Sequence, residues 1–287
     1  MSALQIGFIG QGFIGKHMAD DFEERGHAVV RYALEAPHDK NREAIAGCDI
    51  VFIAVPTPTT PKGFNCDALK MVLPLVGEGA IAVIKSTVLP GTTAALQEQF
   101  PQLTLLHAPE FLREKHAAED TRHPERNIIG MPEMTEPYQQ AARQVLAVLP
   151  EAERETLCRA EEAELIKYGG NTFLAMKVVY MNLLYELAQS LGVDYEVVAK
   201  TMGDDSRIGS SHVRVIDRSG HAGSVPGRGA GGHCFPKDLA ALREIYTKQC
   251  VQDTAGLALL EALETKNTQL LRDSQKDLDL LQDIYGE

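Results

Sequence analysis

The feature that most limits what this chain can fold into is a glycine pattern near its start, Gly10-Gln11-Gly12-Phe13-Ile14-Gly15. It lies directly after an apolar run, Leu4 to Ile9, and directly before a helical pattern, Ile14 to Arg25. Glycines between a strand and a helix allow a tight turn and a close approach of backbone to a pyrophosphate. The helix N-terminus then offers unpaired N–H groups and the positive end of its dipole. The turn therefore predicts dinucleotide binding at Gly10, Gly12, Phe13, Ile14 and Gly15.

The pattern that follows extends this reading. Short apolar runs at Ala28 to Ala33, Ile50 to Val55, Ala80 to Ile84 and Leu103 to His107 alternate with helical stretches at 39–46, 67–77 and 93–99. Near-continuous apolar strands alternating with helices imply a mostly parallel sheet buried on both faces. The expected class is α/β, a Rossmann-like doubly wound parallel sheet over residues 1–159. From about residue 160 the strands stop. Ala160 to Leu191 reads as one long helix closed by Gly192, and Tyr195 to Met202 as a second. A glycine-rich stretch, Arg218 to Gly232, has little periodicity. A last helical segment runs from Pro236 to about Tyr285, broken near Gly256. Residues 160–287 are therefore expected to form an all-helical domain.

Charge narrows the function. With 28 Lys and Arg against 40 Asp and Glu, the net charge is −12, which argues against general nucleic-acid binding. No apolar run is long enough to span a bilayer. The five cysteines show no CxxC spacing. With a strand-like run beginning almost at once and no export signal, they read as free thiols in a reducing cytoplasm.

The acid that would bind the ribose diol is sought near the end of the second strand. Ala33 stands at the first position to look, and Glu35 lies two residues on. Arg31, Lys40 and Arg42 would instead favour a 2′-phosphate, so NAD is expected and NADP is left open. Val55-Pro56-Thr57 ends the third strand, at the edge where ligands of such sheets bind. The most informative stretch is Gly231-Gly232-His233-Cys234-Phe235-Pro236-Lys237-Asp238. Pro236 suits the first turn of a helix, which places Cys234 at a helix N-terminus. That position lowers a thiol pKa, and Lys237 would add to the effect. The glycines leave room for a ligand, and Asp238 can orient a water or a hydroxyl. His233-Cys234 has no second ligand pair at suitable spacing, so no metal is expected.

With these motifs in hand, the chain resembles the UDP-glucose/GDP-mannose dehydrogenase family. The resemblance rests on the glycine turn, Lys85-Ser86-Thr87-Val88-Leu89-Pro90-Gly91-Thr92-Thr93, Ala108-Pro109-Glu110-Phe111-Leu112-Arg113-Glu114, the 163–175 stretch with Lys167 and Asn171, Ser206-Arg207-Ile208-Gly209, and 231–238. It implies oxidation of a nucleotide-sugar primary alcohol to a carboxylate through a Cys234 thiohemiacetal and thioester. By the resemblance, Lys167 and Asn171 stabilise the oxyanion and Asp238 positions a water. Glu110 or Glu114 is the base, and Ser86 and Thr87 lie beside the nicotinamide. Phe111, Leu112, Arg113, Gly231 and Lys237 face the substrate, and Arg207 reaches a neighbouring subunit. It implies a homodimer built on the long central helix, which makes the helical part a dimerisation and substrate domain.

Independent of the family, Lys167 and Asn171 share one helix face. Gly169 and Gly170 between them cost roughly 1 kcal/mol each relative to Ala, which close approach of a ligand or another backbone would explain. Against the family, the segment between the second strand and Cys48 is shorter, with the usual acid replaced near Ala33, and a third, nucleotide-gripping domain is not expected, residues 268–287 reading only as a charged helical tail. Two alternatives stand beside the leading reading. One is a two-electron β-hydroxyacid or alcohol dehydrogenase on a smaller substrate, and the other a non-catalytic dinucleotide-binding subunit.

Overall fold

The computed structural model describes residues 4–221 and 223–286. Residues 1–3 of the first expected domain, Ala222 of the glycine-rich stretch and Glu287 of the tail lie outside the described residues. In chain order the elements are β1 (Gln5–Ile9), α1 (Phe13–Glu24), β2 (Ala28–Tyr32), β3 (Ile50–Ile53), β4 (Thr59–Thr60), β5 (Gly63–Phe64), α2 (Asp67–Val72), β6 (Ile81–Ile84), α3 (Thr92–Gln99), β7 (Thr104–His107), α4 (Ala117–Arg122), β8 (Arg126–Met131), α5 (Glu136–Val148), β9 (Arg154–Arg159), α6 (Ala160–Leu191), α7 (Tyr195–Gly203), α8 (Phe235–Gln249), α9 (Thr254–Asp273) and α10 (Leu278–Tyr285). They divide into two compact units. One comprises the residues up to Thr57 with Asn65–Lys167, the other Pro58–Phe64 with the chain from Tyr168 onward.

The first unit is built on a seven-stranded sheet in the order β2-β1-β3-β6-β7-β8-β9. Every pairing is parallel except β7 with β8, which meet antiparallel at His107 and Gly130. The chain leaves β1 for β2 on one side and returns to β3 on the other. That reversal is the switch point where sheets of this kind bind ligands. All four residues of β3 and of β6 are buried, as expected of strands covered on both faces. On one face Ile6, Phe8, Phe52 and Val83 pack with Met18 and Phe22 of α1 and Val145 and Val148 of α5. Phe8 stacks on Phe52, and Phe22 meets both rings edge-on.

The expected helix at 39–46 is two single 3-10 turns, Asp39–Asn41 and Ala44–Gly47. The one at 67–77 is α2 followed by a 3-10 turn at Leu73–Leu75, where Pro74 removes a helix donor.

The second unit is helical apart from the two-stranded β4–β5 ribbon. Met181, Ala188, Tyr195 and Ala199 join α6 to α7, with Val213 and Val215 from the following loop; the Tyr195 hydroxyl donates to the Val213 carbonyl at 2.7 Å. Val179, Leu239 and Leu263 join α6, α8 and α9. The last helical segment breaks before Gly256, where Asp253 caps α9 by accepting from the Gly256 N–H. It breaks again at 274–277. The tail is not merely charged and helical, because Lys276, Asp277, Leu281 and Ile284 are all buried. Among the described residues, no helix is long and apolar enough to cross a membrane.

Candidate active site

The glycine turn has the backbone its sequence demands. Gly10 sits at φ +89°, and a Cβ there would lie 2.3 Å from the Ala54 carbonyl oxygen; one on Gly15 would lie 1.9 Å from that of Gly10. Gly12 is the N-cap of α1 and no side chain caps it, so the first N–H groups of the helix are left for a ligand. At the carboxyl ends of β3 and β6 two hydroxyls tie neighbouring loops. Ser86 donates to the Val55 carbonyl and Thr57 to that of Thr87, each at 2.7 Å. The structure thus brings together Val55, Pro56, Thr57, Ser86 and Thr87, all expected beside the cofactor. Glu35 is exposed beyond the end of β2. Arg31 is engaged elsewhere, bonded to Asp20 at 2.6 Å and to Glu23 at 2.7 Å on α1.

The same unit buries a small electrostatic cluster behind β7. Lys167 on α6 donates to the Glu110 carbonyl at 2.7 Å and to its carboxylate at 2.8 Å. The other Glu110 oxygen accepts from the Leu112 N–H at 2.7 Å. The Lys167 ammonium and the Arg126 guanidinium lie over the Phe111 ring, 5.4 and 4.0 Å from its centre. Lys85 is buried nearby and donates to the Pro109 carbonyl at 3.4 Å. Burial pushes Lys85 down to about 8; the Glu110 carboxylate pulls it up and the Lys167 cation opposes its charge. Burial, and then the charges of Lys85 and Lys167, push His107 down to about 3. Glu164, one turn before Lys167 on α6, accepts from the Gly91 and Thr93 N–H groups and from the Thr93 hydroxyl at the start of α3. Burial pushes its carboxyl up to about 7 against those bonds.

In the helical unit, Cys234 is the N-cap of α8 and is partly exposed. Its carbonyl accepts from the Asp238 N–H at 2.8 Å, closing the first helical turn. The Asp238 side chain is fully buried. One of its oxygens accepts from the Asn171 amide at 2.6 Å, the other from Lys237 at 2.5 Å. Asn171 stands one turn after Lys167 on α6. Gly169 and Gly170 have open space where a Cβ would be. Among the described residues no other backbone presses on them.

The sequence and the fold both have relatives among known proteins. Residues 32–148 match the NAD binding domain of the UDP-glucose/GDP-mannose dehydrogenase family, and residues 161–269 match that family's central domain. The chain belongs to the UDP-glucose/GDP-mannose dehydrogenase family. It is 33% identical over 261 residues to UDP-glucose 6-dehydrogenase of Pseudomonas aeruginosa, covering 85% of this chain and 52% of that one. It is 30% identical over 291 residues to a UDP-glucose 6-dehydrogenase of Haloferax volcanii, covering 83% and 64%. The chain thus spans about half to two thirds of the length of these curated relatives. Among solved structures, a UDP-glucose dehydrogenase from Pyrobaculum islandicum superposes with a TM-score of 0.78 at 28% identity, covering 94% of this chain and 69% of that one. The fold alone is shared with 3-hydroxyisobutyrate dehydrogenase of Mycobacterium tuberculosis, at a TM-score of 0.72 and 18% identity over 99% of both chains.

The motifs that carried the family resemblance are placed unevenly. Of the two acids expected as base, Glu110 is buried in the Lys167 pair; Glu114 opens the 3-10 turn Glu114–His116 and is half-buried. Arg113 is exposed and pairs with Asp120. Arg207 is exposed and pairs with Asp205 two residues before it. Gly231 lies against the Asp277 side chain. Three residues with perturbed charge, Lys85, His107 and Glu164, are absent from the sequence-based candidates. Their common signal was present: a polar side chain at the end of a buried strand, or next to apolar residues on the buried face of a helix.

Proposed function

We propose that this chain oxidises the primary alcohol of a nucleotide sugar of the UDP-glucose kind to a carboxylate, in two successive oxidations with NAD as hydride acceptor. The observation that carries the reading is the α8 N-terminus. Cys234 begins the helix, and Asp238, one turn on, is buried and bonded to Asn171 and Lys237. A buried carboxylate held one turn from a thiol is unnecessary for packing and suits acyl chemistry. The names of the relatives support the substrate class.

The first unit fits a dinucleotide: Gly10 and Gly15 let the turn close against the backbone of Ala54 and of Gly10 itself, Gly12 leaves open space for the pyrophosphate, and the N-terminus of α1 is uncapped by any side chain. The pairing of Arg31 with Asp20 and Glu23 favours NAD over a 2′-phosphorylated form, with Glu35 on the ribose and Phe13 and Ile14 in the turn. When bound, NAD would supply the hydride acceptor, one molecule for each of the two oxidations. The chain's residues do the rest. The alcohol would lose its hydride to the cofactor and its hydroxyl proton to water, giving the aldehyde beside Thr87. The Cys234 sulfur adds to the aldehyde carbon, forming a C–S bond, and Lys167 and Asn171 stabilise the charge on oxygen. Loss of the second hydride gives the thioester. Water oriented by Asp238 attacks, Glu110 or Glu114 takes its proton, and the C–S bond breaks to release the carboxylate and the thiol. Phe111, Leu112, Arg113, Gly231 and Lys237 contact the sugar nucleotide. In domain terms, 1–159 binds NAD and 160–287 carries the thiol chemistry.

A second copy of the chain covers α6. Phe173, Met176, Tyr180, Leu183 and Leu187 are exposed apolar residues spaced alternately by three and four, the repeat of a helix that packs on another helix. Arg207, exposed on its loop, then serves the neighbour's substrate. Leu183→Glu is expected to convert the dimer to monomers in sedimentation velocity; an unchanged dimer would remove α6 from the interface.

The deciding experiment is the NADH yield per limiting UDP-glucose with excess NAD. Two per sugar supports acid formation, and Cys234→Ala should then cut acid production by at least about a thousandfold. One per sugar would assign the two-electron alcohol dehydrogenase reading, which the shared fold also accommodates. Tight NAD binding with no turnover on any alcohol or aldehyde would assign the non-catalytic one.

A further inference from the structure

Among the described residues, the segment that leads into Cys234 makes no strand or helix of its own apart from the bridge between Asp217 and Gly227. Its backbone is nonetheless held residue by residue. The Arg228 N–H donates to the Ser274 hydroxyl at 2.9 Å, and Lys276 donates to the Gly229 carbonyl at 3.0 Å. Asn267 takes both backbone groups of Ala230, accepting from its N–H at 2.7 Å and donating to its carbonyl at 2.9 Å. The Gly232 N–H donates to Asp277 Oδ2 at 2.7 Å, and the Ser219 hydroxyl donates to the same oxygen at 2.6 Å. A Cβ on Gly231 would lie 2.1 Å from that oxygen, so the backbone there is pressed onto the carboxylate. Four side chains from the end of α9 and the turn after it thus act as the missing neighbour strand for residues 228–232. Three of the four, Ser274, Lys276 and Asp277, belong to that turn. Asp277 stands at φ +53°, a conformation rare outside glycine, and α10 anchors the turn by burying Leu281 and Ile284.

We propose that the turn Ser274–Asp277 is a positioning element for Cys234, with Asp277 as its principal positioning residue. A buried carboxylate that satisfies two donors and excludes a side chain at Gly231 leaves residues 229–232 one conformation. That conformation sets where the chain enters α8, and so the exposure of the Cys234 sulfur. The consequence for turnover rests on the reading of Cys234 as nucleophile; the positioning itself can be measured without a substrate.

The test is alkylation of the intact protein by iodoacetamide, followed by mass spectrometry of each cysteine peptide. Exposed Cys250 serves as the internal standard and buried Cys48 as the reporter of general unfolding. Asp277→Ala is expected to raise the Cys234 rate relative to Cys250 by about tenfold, the scale of one charge-assisted hydrogen bond. Cys48 should stay slow. Asp277→Asn, which keeps a neutral acceptor for Gly232 and Ser219, is expected to restore most of the wild-type protection. Lys276→Met should shift Cys234 in the same direction by a smaller factor. A Cys234 rate unmoved in both Asp277→Ala and Lys276→Met overturns the proposal. So does a rise matched by Cys48, or a failure of Asn to restore the protection. If the NADH yield shows no acid formation while Asp277→Ala still shifts Cys234 alone, the functional reading fails and the positioning element stands.

Discussion

Each unit buries a carboxylate beside a lysine, and the two solutions differ. In the sheet unit, Glu110 meets Lys167 from a helix 57 residues away in sequence, with Lys85 also buried nearby. Two cations thus stand against one anion, beside a histidine that burial keeps neutral. In the helical unit, Asp238 meets its own neighbour Lys237 and the neutral amide of Asn171. There one cation balances one anion. The contrast shows where an excess of positive charge is stored. Among the described charges around Glu110, the sheet unit thus holds more cation than anion out of water, which is a costly arrangement. That surplus suits the role proposed for Lys167, stabilisation of a developing oxyanion, whereas the helical unit supplies a thiol and a fixed neutral donor.

The comparison breaks most severely at Lys167. Lys167→Met leaves Glu110 buried without its closest cation and is expected to cost about 3 kcal/mol, at the low end for a broken buried pair because Lys85 remains. Urea unfolding measures it, and Lys167→Met with Glu110→Gln should recover most of the loss. A cost below about 1 kcal/mol for the single variant would mean that the pair is solvated and the surplus illusory. Asn171→Leu sharpens the other side. Asp238 keeps Lys237, so only one hydrogen bond is lost and the expected cost is about 1–2 kcal/mol. If Asn171→Leu proved as costly as Lys167→Met, Lys237 would not be neutralising Asp238 and the contrast between the units would collapse.

The same contrast explains what the sequence could reveal. The strands of the first unit were legible because both faces are buried: Ile50–Ile53 and Ile81–Ile84 are apolar throughout. The Cys234–Asp238 constellation was legible because it is local, a helix start with Pro236 in its first turn. The glycine turn was legible for the same reason. The Glu110–Lys167 pair was reached through family resemblance, since nothing in either local sequence points to the other. Residues 228–232 were opaque because their conformation is imposed by Asn267, Ser274, Lys276 and Asp277, 37 to 47 residues downstream. No periodicity within the segment carries that information. In the tail, charge and helical pattern were legible, while the burial of Lys276 and Asp277 was not, because it is set by the segment they bond to.

A pH-dependent effect of similar size to that of Asn171→Leu concerns the neutral member of the sheet unit's cluster. His107 is fully buried at the end of β7, and burial with the charges of Lys85 and Lys167 pushes it down to about 3. In the unfolded chain it titrates near its ordinary value of about 6.5. Between those two values the unfolded state binds a proton that the folded state refuses, so stability falls as the pH falls through that window. Glu164 acts with the opposite sign. Its carboxyl is pushed up to about 7, so its contribution declines as the pH rises from about 4.5 to 7. The two offset each other in the wild type, and a single pH profile would hide both. The difference between wild type and His107→Leu isolates the first. Below pH 6.5 the wild type should lose stability relative to the variant by up to about 1.4 kcal/mol per pH unit, read from urea midpoints at pH 7, 6 and 5. A constant difference across that range would mean that His107 takes up a proton in the folded protein. The sheet unit would then bear a third cation, and the charge surplus assigned to Lys85 and Lys167 would have to be shared with it.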